Sequence, residues 1–209
     1  MRAAVVDRYG PPEQVRITEL PTPQPRPGQI LLRVEAAAVT SGDARMRAGR
    51  FPPGFGLPAR LAIGLRGPRA SILGVAVSGR VESVGSGATG FAVGDDVAGM
   101  TGMRLGGHAE FVAVPAPAFA PKPLAVSHAD AAGALFGGST ALYFLRDRAG
   151  AGPGQRVLVN GASGSVGSAA VQLAAHFGAE VTAVTSSRNR ELTTRLGAQH
   201  HVDYARTPA

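Results

Sequence analysis

A glycine-rich turn in the last third of the chain has the residue types and spacing of a phosphate-binding site. It follows a predicted buried strand over residues 156–160 and opens a predicted amphipathic helix over 165–177, reading A-x-G-x-x-G from Ala162 to Gly167. Small residues permit a tight turn, Gly164 lets the backbone approach a pyrophosphate, and Gly167 allows close packing of helix and strand. Amide groups at the positive end of the helix would bind the pyrophosphate. The predicted dinucleotide-binding residues are Gly161, Ala162, Ser163, Gly164, Ser165, Val166 and Gly167.

The end of the next predicted strand, residues 180–185, indicates which dinucleotide is bound. An Asp or Glu about 20 residues after the first glycine would hold the ribose hydroxyls of NAD, but the window 181–190 contains no acid. It contains donors suited to a 2′-phosphate, namely Thr185, Ser186, Ser187, Arg188 and Arg190. The sequence therefore favours NADPH over NADH, the alternative being that both arginines are simply exposed charges near a helix start.

Two patterns of secondary structure surround this motif. From residue 154 strands alternate with helices, with a further helix over 189–196 and a third strand over 200–204, which indicates a parallel sheet with crossover helices. Before residue 122, short strands separated by glycine and proline turns predict a partly open β-barrel or sandwich-like domain. The predicted strands there cover 3–6, 15–18, 30–34, 79–84, 96–99 and 109–114.

The domains predicted from these patterns are 1–122, which is rich in β-strands, and 123–209. The second comprises a linking helix from Ser127 to about residue 148 and the first half of a nucleotide-binding domain. Residues 47–73 contain several prolines and glycines and are predicted to be one long irregular segment, either a binding loop or a mobile loop without a role.

Composition excludes several classes of function. The chain has no cysteine, which rules out disulfides, a thiol nucleophile and zinc sites built on thiolates. The formal net charge is +7, but the arginines and the single lysine are scattered, which favours a basic surface over a nucleic-acid interface. No apolar run approaches the roughly 18 residues of a membrane span, and the start lacks a secretory signal. We therefore expect a soluble cytoplasmic protein.

The run of residues 81–97, VESVGSGATGFAVGDDV, resembles the chaperonin-10-like domain of medium-chain dehydrogenases and reductases. With 28–34 before it and 157–164 after it, the similarity extends from near residue 1 to Tyr204. Zinc alcohol dehydrogenases of this family have a cysteine and a Gly-His-Glu triplet where this chain has T-S-G-D at 40–43 and G-V-A-V at 74–77. The chain is therefore similar to the zinc-independent quinone oxidoreductase branch.

This resemblance implies an α/β fold with a β-rich first domain: a chaperonin-10-like β-barrel followed by an incomplete Rossmann parallel sheet. It implies hydride transfer from NADPH to a small electrophilic substrate, a quinone or an α,β-unsaturated carbonyl, without a metal. Thr40 and Asp43 would lie near the nicotinamide, Thr140 close to the cofactor, and Tyr204 near its adenosine end. No residue is assigned as the general acid. The five histidines lack metal-ligand spacing, and His200 and His201 should point to opposite faces of a strand.

The family's sheet has the order 3-2-1-4-5-6, and this sequence stops after strand 3. We therefore expect a C-terminally truncated chain in which the strand over 156–160 is an exposed apolar edge. If 209 residues are the full product, NADPH binding should be weak and turnover poor or absent.

Other interpretations of the sequence remain. One is a catalytically inert NADPH-binding or interaction protein that uses the half-site or the exposed edge. A zinc alcohol dehydrogenase is less favoured, and a short-chain dehydrogenase is disfavoured because the chain has no Tyr-x-x-x-Lys pair. A homo-oligomer is compatible with the sequence, which identifies neither the oligomeric state nor the acceptor.

Overall fold

A computed structural model describes residues 1–206 of the chain. These residues form two compact units, the first from Met1 to Gly133 and the second from Ala134 onward. This division by packing falls inside a helix, after the boundary that composition suggests at residue 122. No helix among residues 1–206 is both long and apolar enough to cross a membrane.

The first unit is built mainly of antiparallel strands. Its strands are β1 (Arg2–Val5), β2 (Arg16–Glu19), β3 (Gln29–Ala37), β4 (Ala76–Val84), β5 (Asp96–Met100), β6 (Phe111–Pro115) and β7 (Phe119–Pro121). Strands β3 to β7 form one five-stranded sheet in the order β6-β3-β4-β5-β7, while β1 and β2 pair separately. Sequence patterns predict six of these seven strands, whereas the short edge strand β7 was not predicted.

Alternating apolar side chains of the five-stranded sheet form the core of the first unit. Its buried members include Ile30, Leu32, Val77, Val81, Val97, Val112 and Val114. Strands β3 and β4 approach so closely that a methyl group at Gly79 would lie 2.1 Å from the carbonyl oxygen of Arg33. The sheet therefore requires a residue without a side chain at this crossing.

The prediction of one irregular segment over 47–73 is wrong. The chain forms α1 (Ser41–Ala48) and α2 (Gly56–Ile63), so helices occupy a good part of it. Helix α1 ends at Gly49, whose φ of 63° suits a left-handed C-terminal residue. Pro58 falls in the first turn of α2, where a missing amide proton breaks no helical hydrogen bond. The prolines of 47–73 led to the wrong prediction because Pro58 lies at a helical position that tolerates proline.

The second unit has the predicted alternation of strands and helices. Helix α3 (His128–Leu142) leads into it and continues as a wider helical turn to Arg148. Its other elements are β8 (Arg156–Asn160), α4 (Ser165–His176), β9 (Glu180–Thr185), α5 (Arg190–Arg195) and β10 (His200–Asp203). The three strands are parallel, in the order β10-β9-β8. The fold class expected from the sequence is thus confirmed.

Small apolar residues fill the core between the parallel sheet and its helices. The cluster includes Val159, Ala162, Val171, Ala174, Val181 and Ala183. Strand β8 pairs with β9 on one side and with no other strand of residues 1–206, so it lies at an edge as expected. Of its apolar side chains only Leu158 is strongly exposed, at 65%, whereas Val159 is buried. The apolar edge is therefore narrower than the sequence suggests.

The core of the first unit generates a stability prediction. Leu32 is fully buried, so Leu32→Ala should lower the free energy of unfolding by about 2–5 kcal/mol through lost burial and the resulting cavity. Leu124→Ala is the matched control, since Leu124 is 97% exposed and its truncation should change stability by less than about 0.5 kcal/mol. Urea unfolding curves of both variants measure the difference, and equal effects would contradict the assigned core.

Candidate functional site

The turn between β8 and α4 is tied to the end of β9. The amide groups of Gly161 and Ala162 both donate to the carbonyl oxygen of Val184, at 3.0 and 3.2 Å. The amide of Gly164 donates back to the carbonyl oxygen of Gly161 at 2.9 Å and closes the turn. Gly161 has a φ of 72°, a conformation that glycine adopts without strain. The turn is thus ordered by backbone hydrogen bonds before any ligand is considered.

Two glycines of the turn serve different purposes. A methyl group at Gly167 would lie 2.2 Å from the carbonyl oxygen of Gly161, so only a hydrogen atom fits between helix and turn. At Gly164 the nearest such contact is 3.4 Å, an ordinary van der Waals distance. Packing within the protein therefore requires glycine at 167 but not at 164. A glycine that packing does not require leaves space for a ligand to approach the backbone.

The start of α4 offers amide groups to an anion. Gly164 occupies the N-cap position and has no side chain to cap the helix. The first-turn amides, including those of Ser165 and Val166, have no helical carbonyl partner. These amides and the helix dipole together suit a phosphate. The pyrophosphate of a dinucleotide therefore fits the residues present.

Helix α3 packs tightly against this turn. A methyl group at Gly137 would lie 2.4 Å from the carbonyl oxygen of Ser165, whereas one at Gly138 would meet nothing within 4 Å. Thr140, one turn further along α3, is half-buried, and its hydroxyl donates to the carbonyl oxygen of Phe136 at 2.7 Å. Gly137 is therefore a packing residue that positions α3 beside the turn.

A polar cluster behind the turn connects it to the loop after β9. The hydroxyls of Ser163 and Thr185 are 3.0 Å apart, and Asn189 Nδ2 donates to Ser163 Oγ at 3.0 Å. The same amide group reaches Thr185 and Ser186, both at 3.3 Å. Thr185 is only 2% exposed, so its hydroxyl supports the turn from within. Sequence reasoning missed Asn189, because its side chain does not cap the helix that follows but contacts Ser163, 26 residues earlier.

Ser187, Arg188 and Tyr204 lie on the two loops that follow β9 and β10. All three are exposed, and the guanidinium groups of Arg188 and Arg190 have no ion-pair or hydrogen-bond partner among residues 1–206. Two unpaired guanidinium groups suit the phosphate of a phosphorylated ribose, and an exposed aromatic ring suits the base of an adenosine.

The structure adds a carboxylate that sequence reasoning did not place here. Ser187 Oγ donates to Asp203 Oδ2, and the amide of Ala205 donates to Asp203 Oδ1 at 3.0 Å. The hydrogen bond from Ser187, followed by that from Ala205, holds the pKa of Asp203 below its usual value. No acid occurs in the window 181–190, but β10 brings one to the loop from a position sixteen residues after Ser187.

Thr40 and Asp43 form a capping box at the start of α1 in the first unit. Thr40 Oγ1 and the Thr40 amide donate to Asp43 Oδ2 at 2.7 and 2.8 Å, and the Asp43 amide donates to Thr40 Oγ1 at 3.2 Å. The amide of Gly74 donates to the other carboxylate oxygen of Asp43 at 3.1 Å. Three donors thus bind the buried carboxylate of Asp43. Its contact with Gly74 anchors α1 to the segment before β4.

This contact joins the two segments that carry zinc ligands in zinc alcohol dehydrogenases, 40–43 and 74–77. Within residues 1–206 no three His, Asp or Glu side chains come close enough together to hold a metal ion. A cavity of about 790 Å³ adjoins the capping box, with mostly apolar walls that include Val39, Leu73 and His108. Its size and lining suit a small apolar molecule.

The contact between α3 and the turn predicts opposite effects for two neighbouring glycines. Gly137→Ala should destabilise the protein by about 1–3 kcal/mol because the new methyl group overlaps the Ser165 carbonyl. Gly138→Ala should stabilise it by up to about 1 kcal/mol because alanine is the better helix former and the site is open. Chemical unfolding measures both changes, and a shared sign would contradict this packing.

Comparisons with known proteins agree with this architecture. Residues 26–124 match the family model of the alcohol dehydrogenase GroES-like domain. The chloroplastic quinone-oxidoreductase QR1 of Triphysaria versicolor is 34% identical over 215 residues, covering 100% of this chain and 62% of the relative. The chain spans less than two thirds of the length of such relatives.

Solved structures give the same result. The quinone oxidoreductase from Coxiella burnetii has a TM-score of 0.88 and 31% identity, covering 100% of this chain and 63% of that chain. Mycobacterial Rv1454c, solved in complex with NADPH, has a TM-score of 0.81 and 33% identity, covering 97% of this chain and 58% of that chain. The chain is therefore similar over its whole length to quinone oxidoreductases, and its first part matches the alcohol dehydrogenase GroES-like domain.

Proposed function

We propose that this chain binds NADPH through the turn between β8 and α4 and belongs to a zinc-independent reductase of quinones or α,β-unsaturated carbonyls. The observation that carries the proposal is the turn itself. Gly167 is required by packing, Gly164 is not, and the uncapped amides of α4 lie beside Gly164. Together they make a place where a pyrophosphate can contact the backbone. The cofactor-binding residues are those of the turn, 161–167, with Thr140, Thr185, Ser186, Ser187, Arg188 and Tyr204.

The choice of NADPH rests on charge at the adenosine end. Arg188 and Arg190 are exposed and have no acidic partner within residues 1–206, so both are available to a 2′-phosphate. Two cations in the first turns after β9 are disfavoured by the helix dipole, and an anionic ligand offsets that cost. The relative solved with NADPH is consistent with this choice.

Bound NADPH would supply a hydride from C4 of its nicotinamide to an electron-poor carbon of the acceptor. In the segments where zinc dehydrogenases hold their metal, this chain has the hydroxyl of Thr40, the carboxylate of Asp43 and the backbone of Gly74. The capping box uses the hydroxyl proton of Thr40 and one oxygen of Asp43, and the amide of Gly74 binds the other oxygen. We therefore assign Thr40 and Asp43 as positioning residues that shape the nicotinamide end. The negative charge that develops on the acceptor's oxygen would be stabilised by hydrogen-bond donors or water.

The acceptor class is inferred from the walls of the cavity beside the capping box. Most of its exposed lining is apolar, and its polar lining residues are Arg2, Glu35, Asp43, Arg47, His108 and Glu110. Half-buried His108 has its Nε2 3.1 Å from the carbonyl oxygen of Ala38, which orients the ring. A small, flat, conjugated carbonyl compound matches such a surface better than a charged or polyhydroxylated substrate.

A second candidate is a catalytically inert NADPH-binding or interaction protein. Strand β8 has an unpaired edge within residues 1–206, and Leu158 is exposed on it. Such an edge can pair with another chain. Fluorescence titration with NADPH beside quinone-dependent NADPH oxidation separates the two candidates: binding with oxidation supports the reductase, and binding without it supports the inert protein.

The role of the turn is tested by placing one methyl group where the cofactor would approach. Gly164→Ala should leave the fold intact because its nearest protein contact is 3.4 Å. It should weaken NADPH binding at least tenfold, about 1.4 kcal/mol, because the methyl group displaces the pyrophosphate from the amides. Titration of NADPH fluorescence gives the dissociation constants of the parent chain and of Gly164→Ala.

Gly152→Ala is the matched control, since a methyl group there would come no closer than 3.9 Å to any atom and lies outside the turn. Its NADPH affinity should equal that of the parent chain. Undiminished NADPH binding by Gly164→Ala would overturn the assignment of the turn as the pyrophosphate site.

A further inference from the structure

The contact between Ser187 and Asp203 links the loop after β9 to the end of β10. Ser187 Oγ donates to Asp203 Oδ2, the amide of Ala205 donates to Oδ1, and Arg206 Nε lies 3.9 Å from Oδ2. The side chain of Asp203 is only 13% exposed. The carboxylate is therefore held in one place by the fold and is not a freely solvated surface charge.

The direction of this hydrogen bond determines what Ser187 can offer a ligand. A serine hydroxyl has one proton and two acceptor lone pairs. When the proton is donated to Asp203, the outward side of Ser187 Oγ can only accept. A ribose 2′-hydroxyl can donate to that oxygen, whereas a phosphate monoester, with a charge of about −1.5 to −2, needs donors. Ser187 as oriented here therefore suits a free 2′-hydroxyl.

Electrostatics at the same place act in the same direction. Hydrogen bonds from Ser187 and Ala205 lower the pKa of Asp203, so its side chain is anionic at neutral pH. The negative charge of Asp203, which is hydrogen-bonded to the hydroxyl of Ser187, repels a 2′-phosphate bound at that hydroxyl. Arg188 and Arg190 attract it from the loop itself. The adenosine end thus contains groups with opposite effects on a 2′-phosphate. The two arginines lie in the window 181–190, and Asp203 lies outside it.

We propose that Asp203, acting through Ser187, is a specificity-determining positioning residue that favours the free ribose of NADH and limits the preference for NADPH set by Arg188 and Arg190. This inference rests on the proposed function, because it concerns the adenosine end of the same dinucleotide site. It predicts that both cofactors bind and that the balance between them depends on the charge at residue 203.

The test uses 2′,5′-ADP and 5′-AMP, which differ only by the 2′-phosphate and require only the adenosine half of the site. Isothermal titration of the full chain with each gives the ratio of the two dissociation constants. Asp203→Asn keeps the size of the side chain and one acceptor oxygen, enough for Ser187 or Ala205, but replaces the other oxygen by a donor and removes the charge. The variant should shift the ratio about tenfold in favour of 2′,5′-ADP.

Two further variants make the result specific. Asp147→Asn removes one charge from another carboxylate of the second unit, one that is paired with Arg146 and exposed, and should leave the ratio unchanged. Ser187→Ala removes the hydroxyl through which Asp203 acts, so adding Asp203→Asn to it should change the ratio less than in the parent chain. Circular dichroism verifies that each variant is folded.

Each remaining outcome counts against the proposal in a distinguishable way. If Asp203→Asn binds both probes with the same ratio of dissociation constants as the parent chain, the role of Asp203 is overturned. The assignment of the dinucleotide site is then unaffected. Equal weakening of both probes shows that Asp203 only supports the fold, which also overturns the proposal. If neither probe binds the parent chain, the proposed function fails, and this inference fails with it.

Discussion

The start of α4 lies so close to the turn before it that only a hydrogen atom fits at residue 167, and the candidate site depends on this approach. The carbonyl oxygen of Gly161 is the atom that a larger residue would strike. The same approach brings the amides of Ser165 and Val166 to the open side of Gly164. Helix α3 meets the turn with another side-chain-free residue, Gly137. The geometry of the turn is thus a consequence of backbone packing, and the hydrogen-bonded side chains of Ser163, Thr185 and Asn189 support it.

Charge is distributed unevenly around the turn. In the proposed site, the pyrophosphate would contact amides and a helix dipole, which recognise any anion of the right shape. The adenosine would contact side chains, where Arg188 and Arg190 would attract a phosphate and Asp203 would oppose it through Ser187. Affinity for a dinucleotide and the choice between two dinucleotides would therefore depend on different parts of the second unit. Substitutions that change one need not change the other.

In the first unit, a single carboxylate organises the segments that correspond to the metal-binding places of zinc dehydrogenases. Asp43 caps α1 with one oxygen and holds Gly74 with the other. A buried carboxylate with three donors is well satisfied, so removing it would leave backbone amides of two segments without partners. A helix cap and a backbone contact therefore stabilise these two segments.

Sequence by itself determined the order of strands and helices, because hydrophobic periodicity and glycine-bounded turns are local properties. It also located the glycine-rich turn between β8 and α4, since the positive φ of Gly161 and the close contact at Gly167 involve residues only a few positions apart. It misjudged 47–73, where Pro58 is tolerated in the first turn of α2. Only the tertiary structure decided that Gly137 packs on Ser165 and that Asp203 bonds Ser187. Those contacts join residues on different helices and strands, and no local pattern encodes which distant side chain a parallel sheet will bring to the same edge.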